Sequence, residues 1–154
     1  MGSDSVLMQL GRRGIWWHEP CWMGRHMARD FRELICWQLS YELKCEVFAF
    51  TAIAPAAGDF EYRDQIRASS ASSPANVAEG FGRFRPRDSA RFFEIARASL
   101  METQNHLIDG RDRGYLSDNL YFRLFNLARA ALKATTNLMR SKQRHADDLD
   151  NRGR

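Results

Sequence analysis

The sequence has little of what builds disulfide frameworks or membrane spans. It contains three cysteines and four prolines in 154 residues, and no apolar run approaches the eighteen residues that cross a bilayer. Three cysteines are too few, and odd in number, for a disulfide framework. The N-terminus also lacks the basic start and apolar stretch of a secretory signal peptide. We therefore expect one soluble domain, no membrane association, and reduced thiols in the cytoplasm.

The two cysteines of the first predicted helix support this expectation. Cys36 and Cys45 lie nine residues apart. At 100° per residue this spacing points them to opposite sides of a helix, so they cannot pair with each other.

Residue patterns for metal binding or catalysis are equally sparse. Glu102 and His106 lie four residues apart, but no second Glu/His pair completes a diiron site. His18, Cys21 and His26 lack zinc-ligand spacing. No nucleophile is accompanied by a recognisable base. We therefore predict no metal, no cofactor and no enzyme activity, and we interpret Glu102 and His106 as a contact on one helix face.

Helical periodicity, by contrast, fills most of the chain. Four blocks begin at good capping or first-turn residues, namely Asp30, Asp59, Pro86 and Ser117. They end near Phe50, near Gly80, between Gly110 and Gly114, and near Arg144. Short connections between long helices make neighbours antiparallel. We predict an all-α fold, an up-down-up-down antiparallel four-helix bundle over residues 29–145, with a loosely ordered N-terminal extension over 1–28 and a frayed tail over 146–154.

The stretch SSPANVAEGFGRFRPR, residues 72–87, combines two prolines, two glycines and three arginines. Pro74 inside a helix predicts a kink, stabilised by side chains such as Asn76 that donate to the freed carbonyl of Ser70, with Glu79 on the same face. Gly80 and Gly82 follow a helix instead of a strand, which excludes a phosphate-binding loop. We interpret both glycines as helix-ending positions that tolerate positive φ.

Positive charge is concentrated in two segments. Residues 83–97 carry five arginines against two acids, and residues 119–145 carry six cations and no acid. Four cations of the predicted fourth helix fall within one sector of its circumference about 60° wide, namely Arg129, Lys133, Arg140 and Arg144. A basic corner of Arg83, Arg85 and Arg87 alternates with Phe81 and Phe84. Such patches bind phosphates and stack on unpaired bases. The alternative is a solvated face, or one that binds acidic segments of neighbouring subunits.

Four strings in this chain resemble one known family. They are RDFRELICWQLSYEL, QIRASSASSPANVAEGFGRF, ARFFEIARASLMETQNHL and RGYLS. Together they resemble the bacterial four-helix-bundle family of 23S rRNA intervening-sequence proteins, over about residues 31–140. The residues that match the signature are Gln65, Arg67, Pro74, Asn76, Glu79, Gly80, Gly82, Arg83, Phe92, Ser99, Leu100, Glu102 and Leu107. Thr103 and Ser73 depart from the usual apolar residues.

The resemblance implies a homo-oligomer, most often a pentamer, with no catalytic residues among the signature positions. The family is similar to the accessory protein of diversity-generating retroelements, which implies RNA or DNA, and a reverse transcriptase, as possible partners. From the residues and the resemblance together, we predict a non-catalytic nucleic-acid-binding module. The alternative is a protein-interaction adaptor or scaffold that binds no nucleic acid.

Overall fold

The computed structural model of the protein describes residues 28–153, so nearly all of the predicted N-terminal extension lies outside the described range. Four α-helices form within it: Ile35–Phe50 (α1), Phe60–Phe81 (α2), Pro86–Asp112 (α3) and Asp118–Arg152 (α4). Residues 28–153 contain no strand. Because α2 packs on α1 and α3, and α4 packs on α3 and α1, the four helices close into a bundle. This confirms the predicted all-α four-helix fold.

The helix starts follow the predicted caps, with one difference. The Asp59 side chain accepts a hydrogen bond from the Tyr62 amide at 3.0 Å, and Ser117 accepts one from the Leu120 amide at 3.3 Å. Pro86 occupies the first position of α3. Asp30, however, caps a short 3₁₀ turn over Phe31–Glu33, and α1 begins only at Ile35.

The predicted end of α4 near Arg144 is wrong. The helix continues to Arg152, and Gly153 follows it. Two contacts hold the additional turns against the bundle: Ala146 is buried, and Asp150 forms an ion pair with Arg87 at the start of α3. No glycine or proline interrupts the sequence before Gly153, so nothing in the backbone stops the helix earlier.

The core lies in two clusters along the bundle axis. The larger cluster contains fully buried aliphatic residues from all four helices, including Leu43, Ile66, Leu100, Leu107 and Leu124. The smaller cluster, near the α2–α3 turn, contains Cys36, Val77, Phe93 and Ala96. Burial of this apolar surface is the main force that holds the helices together.

A seam of hydroxyl groups crosses the interfaces of α2 with its neighbours. Ser73 contacts Ser40 of α1 at 3.1 Å, and Thr103 of α3 contacts Ser69 at 3.1 Å. Within residues 28–153, no buried side-chain nitrogen or oxygen lacks a hydrogen-bond partner. At Ser73 and Thr103 the resemblance implies apolar residues. Each of these two hydroxyl groups is matched by a hydroxyl on the facing helix.

Pro74 does not interrupt α2, which continues from Phe60 to Phe81. The side chain of Asn76 donates to the carbonyl oxygen of Ser72 at 2.8 Å, not to that of Ser70 as predicted. Glu79 does not join this local network, because its carboxylate pairs with Arg83. The polar neighbourhood of Pro74 is confirmed, but the detailed partners differ from the prediction.

The interpretation of Gly80 and Gly82 as positive-φ positions is also wrong. Within the described residues, positive φ among glycines occurs at Gly114, with φ 73°. Gly80 lies inside α2, where a Cβ atom would come within 2.7 Å of Cε1 of Phe93. A close approach of α2 and α3 therefore explains Gly80. Gly82 caps the C-terminus of α2 with φ −72°.

Candidate nucleic-acid interface

The four cations predicted on the fourth helix lie together on the outward side of α4. Arg129, Lys133, Arg140 and Arg144 are all exposed, and we call them the cationic face. The buried side of the same helix carries Leu124, Ala128, Ala131 and Thr135. At 100° per residue, the cationic face points about 160° away from this buried side. The side chains of Arg129, Lys133 and Arg140 border one open depression along α4, which Ala130, Asn137 and Thr136 also line.

No carboxylate in the described part of the chain forms an ion pair with the cationic face. Residues 119–146 of α4 include no aspartate or glutamate. None of the ion pairs that form within residues 28–153 involves the four cations. From Arg129 to Arg144 the face extends about 22 Å along the helix axis. Its positive potential is therefore available to an external polyanion.

The basic corner is arranged differently, because two of its three arginines are paired within the chain. Arg83 forms an ion pair with Glu79, and its guanidinium lies 4.6 Å from the centre of the Phe92 ring. Arg87 pairs with Asp150. Arg85 precedes α3 as its N-cap residue and belongs to none of the ion pairs formed by residues 28–153. The corner thus offers less free charge than the cationic face.

The two aromatic residues of the corner differ in their exposure to solvent. Phe84 is fully exposed between Arg83 and Arg85, whereas Phe81 is half-buried. The last turns of α4 approach the corner, since Asp147 lines a depression shared with Arg87 and Arg91. Carboxylates therefore lie between the corner and the end of the cationic face.

The remaining signature residues do not form a common site. Pro74 and Gly80 are buried in the bundle. Gln65 contacts Glu61 at 3.4 Å on the exposed side of α2. Glu102 lies 3.8 Å from Nε2 of His106, which is the predicted contact on one face of α3. These contacts give the signature positions roles within the fold.

Arg67 has a structural role that the sequence did not reveal. Its Nε donates to Oγ1 of Thr51 at 2.7 Å, and its guanidinium lies 5.0 Å from the centre of the Phe48 ring. These contacts fasten α2 to the C-terminal end of α1. Sequence periodicity carries no signal for such a contact, because it depends on how two helices are juxtaposed.

Two further exposed surfaces were missed for the same reason. On the α1–α2 side, Tyr41 and Phe48 are exposed, and the ammonium group of Lys44 lies 5.2 Å and 5.7 Å from their ring centres. We call this surface the aromatic face. On the outward half of α3, the exposed apolar side chains Ile95, Met101 and Ile108 accompany the exposed acids Glu94, Glu102 and Asp112, and we call this the acidic face.

The described residues also bear on metal binding and membrane spanning. Residues 28–153 contain no group of three or more His, Cys, Asp or Glu side chains arranged to hold a metal ion. None of the helices in that range combines the length and the apolar character that crossing a bilayer requires.

A closed four-helix bundle with a hydroxyl seam and an unneutralised cationic face defines a small all-helical module. Its helices pack as the resemblance implied. The model of the 23S rRNA-intervening sequence protein family matches residues 32–137, and the chain belongs to this family. A search of curated proteins gives no match.

Proposed function

We propose that the protein is a non-catalytic module that binds nucleic acid through the cationic face of α4. The observation that carries this proposal is the combination of exposure and missing carboxylates at Arg129, Lys133, Arg140 and Arg144. Cations held along a rigid rod bind phosphates by releasing condensed counterions. Arg85, which has no ion-pair partner within residues 28–153, offers a separate phosphate contact at the basic corner, whereas Arg83 and Arg87 must first exchange their own carboxylates.

The proposal is tested by electrophoretic mobility shifts with a labelled nucleic acid at about 50 mM and about 200 mM salt. If the cationic face binds phosphates, affinity falls steeply with salt, with a logarithmic slope of about −0.9 for each phosphate contact. The triple variant Arg129→Ala, Lys133→Ala, Arg140→Ala is expected to weaken binding and to flatten this slope.

A charge-matched control removes three cations elsewhere: Arg32→Ala, Arg63→Ala and Arg152→Ala. These side chains lie before α1, on α2 and in the last turn of α4. Equal losses in both triple variants would show that net charge, and not the cationic face, determines binding. If the wild-type protein gives no shift at low salt, the nucleic-acid proposal fails and the adaptor function is retained.

The adaptor alternative is supported by a second observation, the complementarity of the aromatic and acidic faces. One combines exposed rings with the cation Lys44, and the other combines Met101 and Ile108 with exposed acids. We infer that copies of the chain associate through these two different surfaces. Such a head-to-tail contact generates a closed ring when the rotation between copies closes, and a pentamer is one such ring.

Self-association is tested by light scattering of the eluting protein. The double variant Met101→Lys, Ile108→Lys places cations on the acidic face, opposite Lys44, and is expected to yield monomers. Leu149→Lys is the control, because Leu149 is exposed to a similar degree on the last turns of α4. A wild-type protein that elutes as a monomer would refute this contact, and an unchanged oligomer in the double variant would exclude the acidic face.

A further inference from the structure

The spacing of the four cations on the cationic face indicates whether it fits single-stranded or double-stranded nucleic acid. The cations fall into two pairs, Arg129 with Lys133 and Arg140 with Arg144, each with i, i+4 spacing. Pair members lie about 6 Å apart along the axis, and the pair centres are about 16 Å apart. Between the pairs, Thr136 and Asn137 present neutral polar groups.

The same face offers little surface on which unpaired bases could stack. Over the part of α4 from residue 123 to residue 152, the one phenylalanine, tyrosine or tryptophan is Phe125, which is packed against the core. Phe122, two turns before Arg129, already has the guanidinium of Arg111 at 5.5 Å from its ring centre. Proteins that bind single strands obtain about 1–3 kcal/mol per base from stacking on aromatic rings. The cationic face has no aromatic ring of its own to provide that contribution.

A duplex, by contrast, suits a straight rod with paired cations. It presents one phosphate charge per about 1.7 Å of its axis, in two rows at fixed separation. The B-form major groove between such rows is about 12 Å wide and admits an α-helix. The two cation pairs are about 16 Å apart from centre to centre. This spacing is comparable with the distance between the phosphate rows on either side of that groove. A flexible single strand would lose conformational freedom to adopt the same spacing.

We propose that the cationic face of α4 recognises the phosphate rows of double-stranded nucleic acid and does not read base sequence. This inference rests on the proposed nucleic-acid function and specifies its ligand. Arg129 and Lys133 contact one phosphate row, and Arg140 and Arg144 contact the other.

The test is fluorescence anisotropy with the full chain and a labelled DNA duplex of about 24 base pairs, its two separate strands, and an RNA duplex of the same sequence. At matched salt, we expect at least one duplex to bind ten-fold or more tightly than either strand, and a scrambled duplex to bind equally well. The RNA arm distinguishes the geometries, because the A-form major groove is too deep and narrow for side chains to read.

Two variants separate phosphate binding from base stacking. Arg129→Gln with Arg140→Gln removes one cation from each pair and is expected to weaken duplex binding about ten-fold or more. The ring-removing variant Phe84→Ser, in the basic corner, is expected to leave duplex affinity unchanged, because Phe84 lies outside the cationic face and is fully exposed.

The possible failures are distinguishable. If the separate strands bind as tightly as both duplexes, the duplex inference is overturned while the proposed function survives. Loss of binding in Phe84→Ser would also overturn it, since an aromatic ring would then carry the contact. Absence of binding to every probe refutes the inference and the proposed function together.

Discussion

Gly80 shows how one missing Cβ atom sets the distance between two helices. A Cβ atom at this position would lie 2.7 Å from Cε1 of Phe93 and 3.1 Å from Cβ of Phe92. Phe93 is almost completely buried, so it has little space into which to move. We predict that Gly80→Ala lowers the free energy of unfolding by about 1–3 kcal/mol, the usual cost of overpacking. Urea unfolding followed by circular dichroism measures the change.

Gly82 is the matched control, two residues further along. There the nearest atom to an added methyl group, the carbonyl oxygen of Glu79, would be 3.5 Å away, and φ is already −72°. Gly82→Ala should therefore change stability by less than about 1 kcal/mol, in either direction. Equal destabilisation by the two substitutions would mean that close packing on Phe93 is not the reason for Gly80.

At the scale of elements, the junction between the start of α2 and the end of α3 depends on the charge of Asp59. Its carboxylate accepts from the Tyr62 amide, from the Tyr115 hydroxyl at 2.8 Å and from Arg113 at 3.1 Å. These contacts hold the pKa of Asp59 below its ordinary value of 3.8, and the bond from the Tyr62 amide is the largest cause. Ionised Asp59 therefore stabilises the folded state.

The sign of the pH dependence follows from this lowered pKa. The contribution is complete above the ordinary pKa of 3.8 and is lost as pH falls through the lower folded-state pKa. We predict that the stability difference between the wild-type protein and Asp59→Asn is largest at neutral pH and shrinks below about pH 3.8. Urea unfolding from pH 7 to pH 2.5 measures it. Tyr115→Phe, which removes one donor, should reduce this pH dependence, and a difference that is constant with pH would contradict the prediction.

Elements also show what the sequence could and could not predict. Caps at Asp59 and Ser117 and the start at Pro86 were predictable, because they depend on residues a few positions apart. The end of α4 was not, because the contact of Asp150 with Arg87 joins residues 63 positions apart. The misinterpretation of Gly80 has the same origin, since the ring that excludes a side chain belongs to another helix.

Some features of the candidate site could be predicted from the sequence, and others depend on tertiary contacts. Helical spacing alone placed Arg129, Lys133, Arg140 and Arg144 on one side of a helix, and the structure brings them together on its outward side. Whether an arginine finds a carboxylate depends on tertiary contacts, and for this reason the pairing of Arg87 with Asp150 could not be predicted. The aromatic and acidic faces likewise require knowledge of which sides of α1 and α3 are covered.

At the scale of the whole molecule, the positive charge of α4 is followed by negative charge in its last turns. The acid-free stretch ends at residue 146, and Asp147, Asp148 and Asp150 follow in exposed positions. These carboxylates lie between the cationic face and the basic corner, where Asp147 and Asp150 approach Arg87. They therefore repel a polyanion that extends from one basic surface to the other.

Removing this acidic barrier is predicted to strengthen nucleic-acid binding. In the triple variant Asp147→Asn, Asp148→Asn, Asp150→Asn, Arg87 loses its partner and becomes available to phosphate, so we expect affinity for a duplex to rise by about three-fold or more. The gain should be largest at low salt, because the screening length is about 30 Å at 0.01 M and about 10 Å at 0.1 M. Anisotropy titrations at both salt concentrations measure it.

The control for this prediction must change net charge equally at a different place. Glu33→Gln, Glu61→Gln and Asp64→Asn remove three carboxylates before α1 and on α2, and α2 packs on α1 and α3. If affinity depends on the local barrier, this control gains much less than the α4 variant at 0.1 M salt, where the screening length is about 10 Å. Equal gains would attribute the effect to the net charge of the molecule and would leave the acidic turns of α4 without a role in binding.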